Sequence, residues 1–341
     1  MARIHVVAGV LSDAEGRVLI AQRPTQAHQG GYWEFPGGKR EPEESPLAAL
    51  KRELHEELGI EVVSSRPLIQ IEHDYGDRRI LLDVHRVLRY QGRPQGCEGQ
   101  PLAWRAATAL QPEDFPPADQ PVIRALQLPP LSLITPEGAP DPTNPTQKQA
   151  STAFLASLEQ ALTAGSMMDS TINPTGTSPL VQLRAHHLSD LAFVALAQAV
   201  AQACHKHGAL LVLNRTPDSI PASLAAEVQG FHLTAAQLHN RTAAPQAQAR
   251  TGLLGASCHH AADLARAAAL KLDYVFLSPV QATRSHPNAR PLGWKEFARL
   301  TQSAQQPVYA LGGLTPQDVP QAWAQGAQGI ATIRGLWGLS A

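Results

Sequence analysis

The stretch "GGKREPEESPLAALKRELHEELGI", residues 37–60, decides how the first part of this chain is read. Glu53, Glu56 and Glu57 crowd into five consecutive positions of it. Ser45 can cap a helix, Pro46 suits the first helical position and Gly59 suits a stop, so the spacing predicts a helix between them. Leu47, Leu50, Leu54 and Leu58 recur at three- and four-residue steps, which gives that helix one apolar face. Positions i, i+3 and i+4 share a face, so the three glutamates project together. Stacked carboxylates repel unless a cation neutralises them, and hard oxygen donors select magnesium or manganese. A solvated acidic face would use the same residues. The triplet alone leaves both readings open.

Outward from the helix, apolar β-branched runs flank it on both sides. "IHVVAGVLSD" and "RVLIAQRP" are split by the turn "DAEG", and "IEHDYGDRRILLDVHRVLRY" repeats the pattern around "YGDR". Residues 1–128 therefore read as one domain, a mixed sheet with a helix between its strand pairs. "QLPP", residues 127–130, is a boundary, and the texture changes after it. From 131 to 341, eight short apolar runs alternate with Ala/Leu-rich helical stretches. That alternation implies βα units with parallel pairing, and eight of them fit a (β/α)8 barrel. The polar, turn-rich segment 165–179 reads as a flexible insertion after the first barrel helix.

Composition narrows the function classes. The chain has 341 residues, 43% hydrophobic and 17% charged, with a formal net charge of −1. Two domains with real cores follow. So neutral a chain lacks the basic footprint of a protein that tracks a nucleic-acid polymer; a small anionic ligand held by local cations or a metal fits better. Cys97, Cys204 and Cys258 are odd in number and form no C-x-x-C pair, as expected of reduced thiols. The N-terminus shows no secretory pattern and no run reaches membrane-spanning length, so a cytoplasmic protein without a membrane partner is expected.

The wider spacing around the glutamates is Gly38, five residues, Glu44, seven residues, Arg52-Glu53-Leu54, one residue, Glu56-Glu57, one residue, Gly59-Ile60. It resembles the Nudix box at every fixed position. With "EFPGGK" before it and "EGQPLAW" and "DFPPADQPVI" after it, residues 3–126 look like the MutT-type branch, which hydrolyses oxidised purine nucleotides. The resemblance implies an α/β/α sandwich with a mixed sheet, Mg2+ or Mn2+, and cleavage of 8-oxo-dGTP to the monophosphate and pyrophosphate. It also implies that the Gly37 carbonyl and the Glu53, Glu56, Glu57 and Glu98 carboxylates hold metal or water. Glu98 is then a candidate general base, and Arg52 ties Glu44 or Glu53 in place. Arg23, Phe35 and Arg78 would contact the nucleotide, Arg23 facing phosphate or sugar and Phe35 packing on the purine.

One position departs from that branch. "FPPAD" puts Asp119 where the branch carries an Asn that reads the purine edge. An Asn offers one donor and one acceptor, matching O6 and N7–H of 8-oxoguanine, whereas an ionised Asp only accepts. The substitution predicts weaker selectivity for 8-oxoguanine and acceptance of 8-oxoadenine, unless burial keeps Asp119 protonated.

Residues 131–341 are similar to thiamine phosphate synthases and TenI-type thiazole tautomerases through "LSLITPE", "VQLR", "FHL", "GASCHH", "DYVFLSPVQAT", "ALGGLT" and "GIATIRG". This resemblance implies a phosphate site at Gly312, Gly313 and Arg334. The synthase acids are missing: Arg215 follows Asn214, Gln237 stands in "HLTAAQL", and His186 takes the place of a lysine. Pro279 occupies the tautomerase histidine position, with His286 as a candidate substitute. The adjacent pairs His186-His187 and His259-His260 are weak metal candidates, because neighbours on a strand point apart. The expected function is thus a small-nucleotide pyrophosphohydrolase, with a barrel that binds a phosphorylated ligand or is a degenerate thiamine-pathway module. The alternative is a thiamine-pathway enzyme whose Nudix-like half acts on thiamine-related diphosphates.

Overall fold

The structure is a computed structural model that describes residues 3–241, 252–283 and 290–337. The chain divides into two compact units. One holds Met1–Gln127 with the segment Gln302–Pro307, and the other holds Leu128–Thr301 and the chain from Val308 onward.

In the first unit, strands β1 (Arg3–Val10), β2 (Val18–Gln22), β3 (Trp33–Glu34) and β4 (Gly37–Lys39) precede helix α1 (Pro46–Leu58). The long hairpin β5 (Glu61–Asp74) and β6 (Arg79–Gln91) follows, then β7 (Leu102–Arg105) and helix α2 (Gln120–Gln127). Four strands form a sheet in the order β4-β1-β6-β5, and a second sheet runs β3-β2-β7. The first sheet is mixed: β1 lies parallel to β6, while β4 and β5 are antiparallel to their neighbours. Strand alternation sends successive β1 side chains to opposite faces. Val7 and Leu11 pack with Leu50, Leu54 and Leu58 of α1. Ala8 and Val10 pack with Val122 and Ile123 of α2. The two helices therefore cover opposite faces, which makes the expected α/β/α sandwich.

In the second unit the expected alternation appears along the chain. Strands β8 (Leu131–Ile134), β9 (Leu180–Leu183), β10 (Leu211–Leu213) and β11 (Gly230–Leu233) are separated by α3 (Lys148–Ser166), α4 (Asp190–Lys206) and α5 (Ala222–Glu227). After α6 (Ala235–Asn240) come β12 (Leu253–Cys258), α7 (Ala261–Ala269), β13 (Tyr274–Leu277) and α8 (Gly293–Thr301). Strand β14 (Val308–Leu311), helix α9 (Val319–Ala324) and strand β15 (Gly329–Thr332) end the series. The eight strands β8–β15 are parallel and close into a barrel, with β15 paired to β8. Its interior is packed with rings. Tyr274, Phe276 and Tyr309 are fully buried with Leu128, Leu180, Val212 and Leu253. Gly255 makes room for one of them: a Cβ there would lie 2.1 Å from the Tyr274 ring. The Tyr309 hydroxyl donates to the Pro129 carbonyl at 2.5 Å, below the first barrel strand.

The segment 165–179, expected to be a flexible insertion, is instead tied down. Asn173 is buried, and its amide donates to the Gly165 and Thr177 carbonyls at 3.0 and 2.8 Å. A buried amide with its donors satisfied anchors the turn-rich segment to the end of the helix before it. No helix among the described residues is long and apolar enough to cross a membrane.

Candidate active site

Helix α1 carries the caps its sequence predicts. Ser45 Oγ accepts the Ala48 N–H at 3.2 Å, Pro46 opens the helix, and Gly59 closes it with φ of 67°. Only a residue without Cβ adopts that left-handed turn freely. Leu50, Leu54 and Leu58 are buried with Ala49, whereas Leu47, expected on the same stripe, lies in the first turn and is exposed. Burying that stripe fixes which way the polar positions face.

Arg52 is the hub of the polar face. Its Nε–H and Nη2–H donate to the two Glu44 oxygens at 2.8 and 2.9 Å. Nη2 also donates to the Lys39 carbonyl at 3.0 Å. Nη1 donates to Glu53 Oε1 at 2.9 Å and to Glu56 Oε2 at 3.0 Å. The sequence offered Glu44 or Glu53 as the partner of Arg52; its guanidinium takes both, and Glu56 as well. A bidentate fork favours the charged carboxylate, and hydrogen bonds from Arg52 and the Glu41 N–H hold Glu44 at about 2.

Glu57 sits apart from that fork and accepts the Gly37 N–H at 3.0 Å. Burial pushes its carboxyl up to about 8, against the Gly37 bond and with help from Glu34, Glu98 and Glu53. Burial also raises Glu53, opposed by Arg52. Glu98 is exposed on the loop before β7, where its N–H donates to Gln100 Oε1 at 2.9 Å. Gly38 lies against Glu53, and a Cβ there would fall 2.2 Å from its carboxylate. Among the described residues, no three His, Cys, Asp or Glu side chains converge tightly enough to form a ready metal shell. Arg52 engages Glu53 and Glu56. The donors still fit a hard divalent ion. They are all oxygens, the site carries more carboxylates than cations, and Glu57 is a half-buried acid that a cation would relieve.

A second cluster lies where β2, β3 and α2 meet. Arg23 pairs with Glu34 and donates its Nε–H to the His28 carbonyl at 3.0 Å. Asp119, the departure in the sequence, is buried just ahead of α2, and the Phe35 N–H donates to its carboxyl. Burial pushes Asp119 up to about 8, Glu34 adds to the rise, and Arg23 and the Phe35 N–H oppose it. Tyr75 is close enough to feel both Asp119 and Arg23. Phe35, expected against a purine face, has its ring buried in the core at 5.6 Å from Phe115; its backbone faces Asp119. A large apolar side chain between two layers gains more from the core than from a solvated pocket. Arg78 lies on the β5–β6 turn, paired with Asp77 at 2.8 Å and not with the glutamates of α1.

The sequence reading passed over Glu34 and Tyr75. Both were quoted, in "EFPGGK" and "HDYGDR", yet nothing in those strings marks them. Strand pairing places Glu34: it stands opposite Ala21, which sets it beside Arg23, whereas Tyr75 sits in the turn after β5.

At the C-terminal ends of the barrel strands, Gly312 and Gly313 follow β14 with φ of 112° and 71°, and exposed Arg334 follows the neighbouring β15. The first glycine also serves packing, because a Cβ on Gly312 would lie 2.9 Å from Pro279. His186 bonds Asn214 Oδ1 at 2.8 Å. Arg215 stacks on Phe193 at 4.6 Å and donates to the Leu188 carbonyl. Gln237 caps α6 with Thr234. The histidine pairs part as expected: His187 bonds the Ala139 carbonyl, His259 faces Ser278, and His260 caps α7. His286 lies outside the described residues.

Comparison with known proteins agrees with both halves. The NUDIX domain profile matches residues 7–125, and the thiamine monophosphate synthase profile matches residues 143–336, more than half the chain. The chain is 38% identical to the 8-oxo-dGTP diphosphatase of Escherichia coli over 127 residues, which is 37% of this chain and 98% of that protein. It is 40% identical to the CTP pyrophosphohydrolase of Escherichia coli over 125 residues, 37% of this chain and 92% of the relative. It is 33% identical over 183 residues to an Aquifex aeolicus protein described as "Putative thiamine-phosphate synthase 2", 53% of this chain and 88% of the relative. With the Arg52-centred glutamate helix in one unit and the closed eight-stranded barrel in the other, the chain belongs to the NUDIX family through its N-terminal part and to the thiamine monophosphate synthase family through its C-terminal part.

Proposed function

We propose that residues 1–128 form a cytoplasmic, Mg2+-dependent pyrophosphohydrolase that converts oxidised purine nucleoside triphosphates, with 8-oxo-dGTP foremost, to the monophosphate and pyrophosphate. Mn2+ is expected to substitute for Mg2+. The observation that carries the choice of purine is Asp119. A carboxyl held near 8 is neutral at pH 7 and offers one O–H donor and one acceptor oxygen. That pair matches O6 and N7–H of 8-oxoguanine.

NUDIX hydrolases generally need a divalent metal. In this reading the Gly37 carbonyl and Glu53, Glu56, Glu57 and Glu98 hold it. A bound cation supplies charge neutralisation on the anhydride oxygens and orientation of the attacking water. Arg52 holds Glu53 and Glu56 aimed along one face. Glu98, exposed on its loop, takes the proton of the water as P–O cleavage begins. Arg23 and Arg78 face phosphate and sugar, each exchanging its present acid partner for the ligand. The Phe35 backbone and Asp119 define the base edge.

The barrel, residues 131–341, is read as a binding module for a phosphorylated ligand at Gly312, Gly313 and Arg334. Arg215 and Gln237 support this over synthesis, because both are engaged in packing and capping where a metal-binding acid is expected. The test is one screen of the purified chain against 8-oxo-dGTP, dGTP, CTP and thiamine diphosphate, with both products quantified. Highest kcat/KM for 8-oxo-dGTP is expected. Faster turnover of CTP or of thiamine diphosphate would overturn the purine reading.

A further inference from the structure

We propose that His5 is a positioning residue for the metal helix: its Nδ1 lone pair orients Arg40, which fixes the turn that carries Glu44. The inference rests on the reading of α1 as the metal-binding element.

The link begins with strand pairing. The Arg40 N–H donates to the His5 carbonyl at 2.9 Å, which extends the β1–β4 ladder by one step. This brings the side chains together, and Arg40 Nε–H donates to His5 Nδ1 at 3.0 Å. A guanidinium has only donors. His5 Nδ1 must therefore be the bare nitrogen, and the ring proton sits on Nε2. That Nε2 faces Asp83 Oδ2 at 3.4 Å, across the parallel pairing of β1 and β6. Asp83 is buried, and its remaining neighbours are His85 Nε2, 3.4 Å from Oδ1, and Gln70 Nε2, which donates to Oδ2 at 3.1 Å. Burial works against ionisation of Asp83, but His85, Gln70 and His5 outweigh it and hold the carboxyl below its ordinary value. Of these only Gln70 makes a hydrogen bond to the carboxylate; the His5 Nε2–H lies beside it without one, so Arg40 at Nδ1 is what selects the Nε2–H form of His5.

The far arm of Arg40 completes the link. Its Nη1–H donates to the Glu44 carbonyl, while Arg52 holds the carboxylate of the same residue. Two arginines thus grip Glu44 at opposite ends, one through the backbone and one through the side chain. Arg52 passes the constraint to Glu53 and Glu56. The path His5, Arg40, Glu44, Arg52 ties β1 to the candidate ligands through a hydrogen bond at each step.

The experiment uses the full chain and two readouts that need no substrate. Long-range 1H–15N NMR of the imidazoles reads the tautomer of His5, and calorimetry with Mn2+ reads the affinity of the site. The variants are His5→Phe, His5→Asn, Asp83→Asn and Glu53→Gln, with thermal melts run on each. An Asn at position 5 places Oδ1 where Nδ1 lies and keeps the acceptor. We expect the Nε2–H tautomer in the wild type and about tenfold weaker Mn2+ binding in His5→Phe, the usual scale for losing a group behind a metal ligand. His5→Asn should recover most of it. Asp83→Asn should leave the Nε2–H tautomer of His5 in place, because the Arg40 donor at Nδ1 sets it. An Nδ1–H tautomer at His5, or equal affinity in His5→Phe and wild type, would overturn the inference while leaving the metal helix standing. Mn2+ binding that is absent, or unchanged in Glu53→Gln, would remove the metal reading itself and this inference with it.

Discussion

Replacing Asp119 by Asn tests the reading of the base pocket through both stability and specificity. The ordinary carboxyl value of 3.8 becomes about 8 in the folded protein, from burial first and Glu34 second. Between those two values the native chain holds a proton that the unfolded chain has released. The stability linked to Asp119 is therefore full below about pH 4 and falls as pH rises toward 8, by about 1.4 kcal/mol per pH unit. At pH 7 the accumulated loss is roughly 4 kcal/mol, and Asn, which does not titrate, escapes it. Asp119→Asn should accordingly be the more stable protein at pH 7 to 8, with the gap closing toward pH 4; urea unfolding at several pH values reads it. Specificity follows the same proton. Below about pH 8 the acid donates to O6 of 8-oxoguanine; above it the carboxylate only accepts and prefers the paired donors of 8-oxoadenine. A mismatch of one buried hydrogen bond costs about 1–3 kcal/mol. The kcat/KM ratio of 8-oxo-dGTP to 8-oxo-dATP should then drop roughly ten- to a hundredfold from pH 6.5 to pH 9, and be flat in Asp119→Asn. A ratio that is flat in the wild type as well, together with equal stability of the two proteins at all pH values, would show that Asp119 neither holds the proton nor meets the base.

Other perturbations probe the remaining parts. Glu53→Gln keeps shape but removes a charge from the helix face, so turnover should fall by orders of magnitude, as should wild-type turnover in EDTA; near-normal rates in either would refute the metal assignment. In the barrel, a coupled assay should detect no thiamine phosphate synthesis, because Arg215 and Gln237 are engaged elsewhere. Calorimetry should still show weak binding of thiazole phosphate that is lost in Arg334→Ala. Gly312→Ala should destabilise the barrel by about 1–3 kcal/mol in thermal melts, since φ is 112° and the new Cβ meets Pro279; an unchanged melt would show that the turn relaxes freely.

Much of the fold was legible because periodicity and punctuation agree. Ser45, Pro46 and Gly59 delimit α1 by local rules, and eight apolar runs between Ala-rich stretches announce the barrel. The reach of Arg52 was half legible: its partners Glu53 and Glu56 lie on its own helix, whereas Glu44 and the Lys39 carbonyl depend on how the preceding loop folds back. Asp119 stood out only as a departure, and its protonation state follows from burial, which no string reveals. Glu34 and the His5–Arg40 contact were hidden because strand register, not sequence spacing, brings them to their partners, and Tyr75 because it stands in the turn between β5 and β6. Asn173 shows the opposite failure: a turn-rich composition suggested looseness, but one buried amide decides the matter.

The ring-filled interior makes the barrel a solid plug and not a tube. Tyr274, Phe276 and Tyr309 fill it, so no solute can pass between the two ends of the strands. A ligand held at the C-terminal rim must therefore arrive and depart from that one side.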